Sequence, residues 1–310
     1  MKKLFTLALS LMFVAAIAQE RVPQGPKDVM SMDKNTCTSF VMFPVDGTTV
    51  TANTLIENIL GPDITSYNLI KFQGTTGQNA SAGLFTGGAA AGIVLESGIV
   101  LSSGYINNAI GPNTFTGVSG NLGLPGDSDL NALIPQNTYD ATVLEFEFVP
   151  TFDKIFIQFV FGSDEYNEYV GTQFNDVFGF FLNGVNIALT PGTSVPISIN
   201  TINNGSNSNL YNDNTVYSPS PAWPKFCNEM DGFTTVLVVN GDVVPGETNT
   251  IKLAIADAGD RILDSWVFIG AEGFTGVDPE PTPVPLGNWA LILGMGLILV
   301  FTFMRLRRVL

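Results

Sequence analysis

Short apolar segments with period-two alternation constrain the fold of this chain more than any other feature. In the segment Lys154 to Phe161, the side chains of Ile155, Ile157 and Phe159 fall on one face of an extended strand. Further segments of similar length and composition lie at 144–149, 177–182, 185–189, 197–202, 234–239, 251–256 and 265–269. The pattern predicts an all-β fold, a jelly-roll-like β-sandwich formed by one domain.

The connections between these segments give more local predictions. Asn183-Gly184 and Asn240-Gly241 each lie between apolar runs and predict β-hairpins, since both residue types accept positive φ in a type I′ turn. One short N-terminal helix is expected to end at Leu60, with Thr51 or Asn53 as its N-cap. The glycine-rich stretch 74–104 is interpreted as tight turns of a β structure.

An acidic loop lies between two aromatic strand-like segments. The sequence FGSDEYNEYVGTQFNDVFGFFL begins at Phe161 and concentrates carboxylate and amide side chains without a cation. Such oxygen donors suit Ca²⁺, which takes about 6 to 8 oxygen ligands. A solvated acidic loop, in which Asp and Asn cap turns, is the alternative.

Two further acidic groups lie elsewhere, one in IADAGDRILDS and one, Asp127 and Asp129, in GDSDL. The sandwich could bring the acidic loop after Phe161 and the IADAGDRILDS segment to the same end. Bound Ca²⁺ would then relieve the repulsion between their charges. The predicted metal ligands are Asp164, Glu165, Glu168, Asn175, Asp176, Asp257, Asp260 and Asp264. Tyr166 and Tyr169 flank the acids and are predicted ligand-binding residues on an exposed loop.

The two ends of the chain predict export. Residues 1–18 have two lysines, an apolar run and an A-x-A site, as in a secretory signal peptide. Residues 289–304 are apolar and precede three arginines, which predicts a transmembrane helix with the preceding domain outside the cytoplasm. The expected organisation is a signal peptide 1–18, an N-terminal segment 19–50, a β-sandwich 51–276, a Pro-rich linker and sorting motif 277–288, and a membrane helix with a basic tail 289–310.

Composition narrows the function. The chain has 13 Lys and Arg against 28 Asp and Glu, and five of these cations lie in the two terminal segments, so the domain between them is strongly acidic. This charge argues against nucleic acid as a partner, because phosphate contacts need clustered cations. In an oxidising compartment Cys37 and Cys227 are expected to form a disulfide, with two buried free thiols as the alternative.

The complete absence of histidine excludes most catalytic classes. Ser-His-Asp and Cys-His mechanisms and His-ligated zinc all require an imidazole. No Walker A or G-x-G-x-x-G motif occurs either. The chain is therefore predicted not to be an enzyme, although a carboxylate-based hydrolase stays open.

Ordered motifs across the domain resemble one known family. GLFTGG, SGIVLSSGY, GDSDL, FVFGSDEYNEYVGTQFNDVFGFFLNG and DAGDRILDSWVFI, in this order, are similar to the choice-of-anchor L domain family. The resemblance spans about residues 51–274. It implies an extracellular β domain that is paired with interchangeable surface-attachment tails, and it implies no established reaction.

The C-terminal segment resembles a second kind of signal. A Pro-rich spacer, the sequence Val-Pro-Leu-Gly-Asn-Trp, an apolar helix and an arginine cluster are similar to the tripartite tails processed by exosortase-type enzymes in Gram-negative bacteria, in particular the Ile-Pro-Thr-Leu class. The resemblance implies a sorting transpeptidase or protease as a partner. A plain membrane anchor through residues 289–304 is the alternative.

Two functional hypotheses follow. In the first, the chain is a surface-anchored or surface-sorted β-sandwich, stabilised by Ca²⁺, that acts in adhesion or matrix binding with a glycan or a surface protein as its ligand. In the second, it is an extracellular glycoside hydrolase in which two of Glu165, Glu168, Asp176 and Asp257 form a catalytic pair, about 5 to 9.5 Å apart in an open cleft.

Overall fold

A computed structural model describes residues 37–215 and 226–279. The predicted signal peptide and the predicted membrane helix lie outside these residues. Among the described residues, no helix is both long and apolar enough to span a membrane.

The described chain forms two β-sheets that pack face to face. The larger, 8-stranded sheet has the order β1-β3-β4-β13-β6-β10-β9, with β11 also paired to β6, and the smaller, 5-stranded sheet has the order β2-β5-β12-β7-β8. The strands are β1 Val41–Pro44, β2 Ile64–Gln73, β3 Ala82–Thr86, β4 Ser97–Ser102, β5 Thr138–Pro150, β6 Lys154–Ser163, β7 Val177–Leu182, β8 Val185–Asn186, β9 Tyr211–Asp213, β10 Gly232–Thr234, β11 Leu237–Asp242, β12 Asn249–Ala258 and β13 Ser265–Thr275. The all-β sandwich prediction is confirmed.

The core lies between the sheets because successive side chains point to opposite faces. On β12, Ile251, Leu253 and Ile255 point into this core. On β13, Val267 and Ile269 point inward, while Trp266 and Phe268 pack on the outer face of the larger sheet. Phe40 of the N-terminal segment packs against Phe268 on that outer face, and the Cys37–Cys227 disulfide, with a Cα–Cα distance of 5.2 Å, joins this segment to the residues that precede β10.

The predicted helix is present. Helix α1 spans Ala52–Ile59, and the Thr51 hydroxyl accepts a hydrogen bond from the Thr54 backbone N–H in a reciprocal capping box. A second, one-turn helix, α2, spans Ser128–Asn131 and is capped by Asp127. Strand β1 precedes residue 51, so the sandwich includes part of the segment that the sequence assigned to a separate N-terminal region.

Several local predictions need correction. Asn183-Gly184 does form the β7–β8 turn, with φ values of 48° and 82°. Asn240-Gly241 instead lies inside β11, where Gly241 pairs with Ile155, and a Cβ on Gly241 would be 2.5 Å from Leu182 Cδ2. Glycine is needed there for close packing and not for a turn. The predicted strand 197–202 is a series of turns, and the glycine-rich stretch contains β3 and β4.

Candidate functional site

The two predicted acidic loops meet at one end of the sandwich, which we call the acidic pole. At this end β4, β6 and β12 end and β5, β7 and β13 begin. The Asp164 backbone N–H donates to the Asp264 carbonyl at 3.0 Å, and the Ala258 N–H donates to Asp176 Oδ1 at 3.0 Å. The structure therefore brings the 164–176 loop and the 257–264 turn together.

Some of the carboxylates hold an irregular loop, residues 111–126, against the strand ends. Asp164 Oδ2 accepts from the Val118 N–H at 2.7 Å, and Asp264 Oδ1 accepts from the Gly120 N–H at 2.9 Å. Asp140 accepts from the N–H groups of Leu122 and Leu124. These bonds satisfy backbone donors that have no strand partner, which is the turn-capping role of acidic side chains.

Other polar side chains lie in the interior, between the two sheets. Side chains continue to alternate between the two faces of each strand as far as the acidic pole. At the pole, the inward-facing positions carry oxygen-bearing side chains, whereas in the middle of the sandwich they carry apolar ones. This interior oxygen cluster consists of Ser103, Thr142, Ser163, Asp176, Asp257 and Ser265, each at most 1% exposed. It contains two carboxylates and four hydroxyl groups, and none of its members carries a side-chain nitrogen.

Hydrogen bonds connect the members of the interior oxygen cluster. The Ser265 hydroxyl is 2.8 Å from Asp176 Oδ2 and 2.8 Å from the Ser163 hydroxyl. The Ser265 backbone N–H donates to the Ser103 hydroxyl at 3.0 Å. Thr142 donates to the Ser102 carbonyl. Hydrogen bonds therefore link four members of the cluster, Ser103, Ser163, Asp176 and Ser265, whereas Thr142 and Asp257 lie beside this linked set.

Asp257 differs from the other acids of the pole. It is 1% exposed, and neither of its carboxylate oxygens has a hydrogen bond of ordinary geometry within the described residues. Burial raises the pKa of Asp257 well above its usual range, and the charges of Asp176 and Asp264 raise it further, while the nearby Ser103 hydroxyl opposes the rise. Ionised Asp257 is thus a buried charge that lacks compensation.

Two more aspartates of the pole have raised pKa values. Burial raises the pKa of Asp264 to about 7, although hydrogen bonds from the Gly120 N–H and the Asn108 amide oppose the rise. Burial and the charge of Asp231 raise the pKa of Asp164 well above its usual range. Neither residue forms an ion pair with a cationic side chain in the described ranges.

The remaining predicted metal ligands are dispersed. Glu165 is buried, whereas Glu168 is exposed and Asn175 and Asp260 are partly exposed. Asn175 Oδ1 accepts from the Asn200 backbone N–H, and Asp260 accepts from the Ile262 N–H. The eight predicted residues do not form one coordination sphere, and the described residues contain no group of three or more Asp, Glu, His or Cys arranged to hold a metal ion.

The two tyrosines have different environments. Tyr166 is fully buried, and its hydroxyl donates to the Ile202 carbonyl at 2.7 Å, so it is not the exposed loop residue that the sequence indicated. Burial also raises the pKa of Tyr166. Tyr169 is partly exposed and packs edge to face against Phe174, which leaves it accessible at the surface of the pole.

The third acidic group lies apart from the pole's interior and has its own cation. Lys252 Nζ is 2.6 Å from Asp127 Oδ2 and 2.7 Å from Asp129 Oδ2. Burial lowers the pKa of Lys252, but its hydrogen bonds to the two aspartates outweigh this effect and leave the pKa raised. The group is a structural ion-pair cluster on the outer face of the smaller sheet.

A cleft of about 230 Å³ opens beside the 164–176 loop. No charged side chain lines it. Its lining consists of apolar and neutral polar residues, namely Leu133, Ile134, Pro135, Asn175, Val177, Val195, Pro196, Ser198, Asn200 and Thr201. Val195 is 48% exposed at its rim. Such a cleft suits a neutral ligand that presents both apolar and hydroxyl or amide groups.

Sequence reasoning missed the hydroxyl groups of the interior oxygen cluster and the acids Asp140 and Asp231. A signal for Asp257 was present, because Ile251, Leu253 and Ile255 place it at the next inward-facing position of the strand. A register shift on β12 between Ile255 and Asp257 places a β-bulge at this point. Ser265 similarly precedes the inward-facing Val267 and Ile269.

Comparisons with known proteins identify one family. The family model described as "Choice-of-anchor L domain" matches residues 44–275, which include most of the two sheets and the whole acidic pole. No curated protein and no solved structure matched the chain.

Proposed function

Because the chain belongs to the choice-of-anchor L domain family, whose members are surface-associated β-sandwich modules, we propose that it acts in adhesion or in binding to extracellular matrix or cell surfaces. In this proposal the chain is exported through residues 1–18 and held at the surface by its C-terminal segment. That segment serves as a substrate for a sorting transpeptidase or as a membrane anchor. The ligand is a glycan or a surface protein that binds at the acidic pole.

The course of β13 is the observation that carries this proposal. Ser265, at the start of the strand, pairs with Ser163 at the acidic pole, whereas Thr275, at its end, pairs with Phe156 at the other end of β6. Along β6, Ser163 and Phe156 are seven residues apart, which corresponds to about 23 Å. A chain held by its C-terminal segment therefore leaves the sandwich at the opposite pole, and the acidic pole is directed away from the attachment point.

The surface of the acidic pole supports binding by a neutral ligand. The cleft beside Val195 has no charged lining residue, and the partly exposed Tyr169 adds an aromatic side chain to the same loop region. Tyrosine is a frequent contact residue because its ring is apolar and its hydroxyl group is polar. Neutral glycans and uncharged protein segments fit this chemistry.

The positions of the carboxylates do not favour the glycoside hydrolase alternative. A catalytic pair has to face an open cleft that admits the sugar. Of the four candidate residues, Glu165, Asp176 and Asp257 are at most 1% exposed, which leaves Glu168 as the exposed one. We therefore propose binding without hydrolysis as the activity of this domain, and calcium as a stabiliser of the acidic pole.

A matched pair of surface substitutions tests the adhesion proposal. Val195 lies on the cleft at the acidic pole, and Val244 is 56% exposed at the opposite pole. Cells that display the full chain would be assayed for adhesion to immobilised neutral polysaccharides and matrix proteins. We expect Val195→Arg to reduce adhesion at least about tenfold, which corresponds to about 1.4 kcal/mol of binding free energy. The reason is that a charged side chain in the uncharged cleft would weaken the binding of a neutral ligand. Val244→Arg should leave adhesion unchanged.

Equal adhesion by the wild type and Val195→Arg would contradict the location of the binding surface. Labelling of intact cells with an antibody to the domain provides the control for display. If only lysed cells were labelled, the surface location itself would be wrong.

A further inference from the structure

We propose that the interior oxygen cluster binds one Ca²⁺ ion through the carboxylates of Asp176 and Asp257. Hydroxyl groups of Ser103 and Ser265 complete the coordination. This inference rests on the proposed role of calcium at the acidic pole. It places the ion at one interior position, whereas the eight ligands predicted from the sequence are dispersed.

The ligand chemistry of the cluster fits a hard cation. Ca²⁺ takes about 6 to 8 oxygen ligands, and two carboxylates with neighbouring hydroxyl groups supply oxygen donors without any side-chain nitrogen. The cluster draws these donors from β5, β6, β12, β13 and the residues beside β4 and β7, so its backbone supports are fixed by both sheets.

Asp257 independently indicates a missing partner. Its two oxygens are buried, lack hydrogen bonds of ordinary geometry, and point into a cluster that already contains Asp176. Buried charges in native proteins are paired or coordinate metals. No Lys or Arg of the described residues forms an ion pair with Asp257, since Lys252 binds Asp127 and Asp129, Arg261 binds Asp140, and Lys154 binds Asp242. A bound divalent cation would supply the absent counter-charge.

The surrounding acids support a cation at this position and not an anion. Asp140 and Asp264 contribute further negative potential to Asp257 without being required as ligands. Asp264 is held by the Gly120 N–H and by Asn108, which leaves Asp176 and Asp257 as the carboxylates facing the interior hydroxyl groups. Mg²⁺ is a poorer fit, because it retains several waters and the site is almost fully buried.

Calcium titration of the exported full chain tests this inference. Protein treated with EDTA would be titrated with CaCl₂ and, separately, with MgCl₂, with binding followed by calorimetry and stability by urea denaturation. We expect one Ca²⁺ per chain. At a hundredfold excess over the dissociation constant, the ratio of folded to unfolded protein should rise about a hundredfold.

Two asparagine variants of the same turn make the test specific. Asp257→Asn should abolish the response to calcium. In EDTA at neutral pH it should be at least as stable as the wild type, since it removes a buried charge that lacks a partner. Asp260→Asn changes a partly exposed aspartate three positions away and should keep the full response.

Three outcomes would overturn the inference: no calcium binding by the wild type, an unchanged response in Asp257→Asn, or stability that depends on pH and not on calcium. The last result would show that protons, and not a metal ion, neutralise the buried carboxylates of the acidic pole. Adhesion that is insensitive to Val195→Arg, together with normal calcium binding, would reject the adhesion surface and leave the calcium site intact.

Discussion

At the residue scale, burial makes protein stability depend on pH through three aspartates of the acidic pole, Asp164, Asp257 and Asp264. Their pKa values are all raised in the folded protein, that of Asp264 from 3.8 to about 7. A group with a raised pKa binds a proton more tightly in the folded state, so its stabilising effect is complete below the unfolded pKa. That effect is lost as the pH rises through the folded pKa.

We therefore predict that the protein without calcium is more stable at about pH 5 than at about pH 8. For Asp264 alone, only the part of the pKa rise that lies between pH 5 and about 7 falls within this comparison, which corresponds to a difference of about 3 kcal/mol in unfolding free energy. Urea denaturation in EDTA at the two pH values measures this difference. Equal stability at both would show that these carboxylates have ordinary pKa values.

Lys252 shows the opposite case, because it supplies the counter-charge of a buried acid, Asp127. Replacing Lys252 with Met leaves the buried Asp127 without its counter-charge, and such losses destabilise proteins by about 3 to 5 kcal/mol. Lys154 pairs with the 88% exposed Asp242 at 3.0 Å and provides the control. Lys154→Met should change stability by less than about 1 kcal/mol. Similar effects of the two substitutions in urea denaturation would contradict the distinction between the pairs.

At the scale of elements, the 111–126 loop depends on side chains from distant strands. Asp140, on β5, accepts from two of its N–H groups and also binds the Arg261 guanidinium. We predict that Asp140→Ala increases amide hydrogen exchange at Leu122 and Leu124 by at least about tenfold, since each loses its acceptor. Asp242→Ala, at an exposed position of the opposite pole, should leave exchange in the loop unchanged. Protection that persists in Asp140→Ala would show that the loop is held by other contacts.

Elements with local causes were predictable from the sequence. The α1 cap at Thr51 and the Asn183-Gly184 turn follow from residues adjacent in the chain. The Asn240-Gly241 prediction failed because the same dipeptide can serve sheet packing, here against Leu182 of the other sheet. Segment 197–202 has strand-like alternation, but Ile197, Ile199 and Ile202 reach the core from turns. Tertiary packing, which no local pattern encodes, decided both cases.

The candidate site was predictable only in outline at the scale of the whole molecule. The sequence indicated that the 164–176 and 257–264 segments are acidic and that a sandwich can bring them together. It did not distinguish Asp257, which points into the core, from Asp260 in the same turn, which is partly exposed. That distinction depends on strand register and on the partner strands β5 and β7. Family membership likewise specifies a surface module without specifying its ligand.

The Cys37–Cys227 disulfide links the N-terminal segment to the residues that precede β10, across a sequence separation of 190 residues. By the chain-entropy relation, a loop of this length stabilises the folded state by about 5 kcal/mol. We predict that a Cys37→Ser, Cys227→Ser double variant loses about this amount in urea denaturation. The disulfide lies on the outer face of the larger sheet, so the acidic pole should keep its calcium response in the same variant. If the double variant loses both this stability and its calcium response, the residues on the outer face of the larger sheet and the interior oxygen cluster fold as one unit.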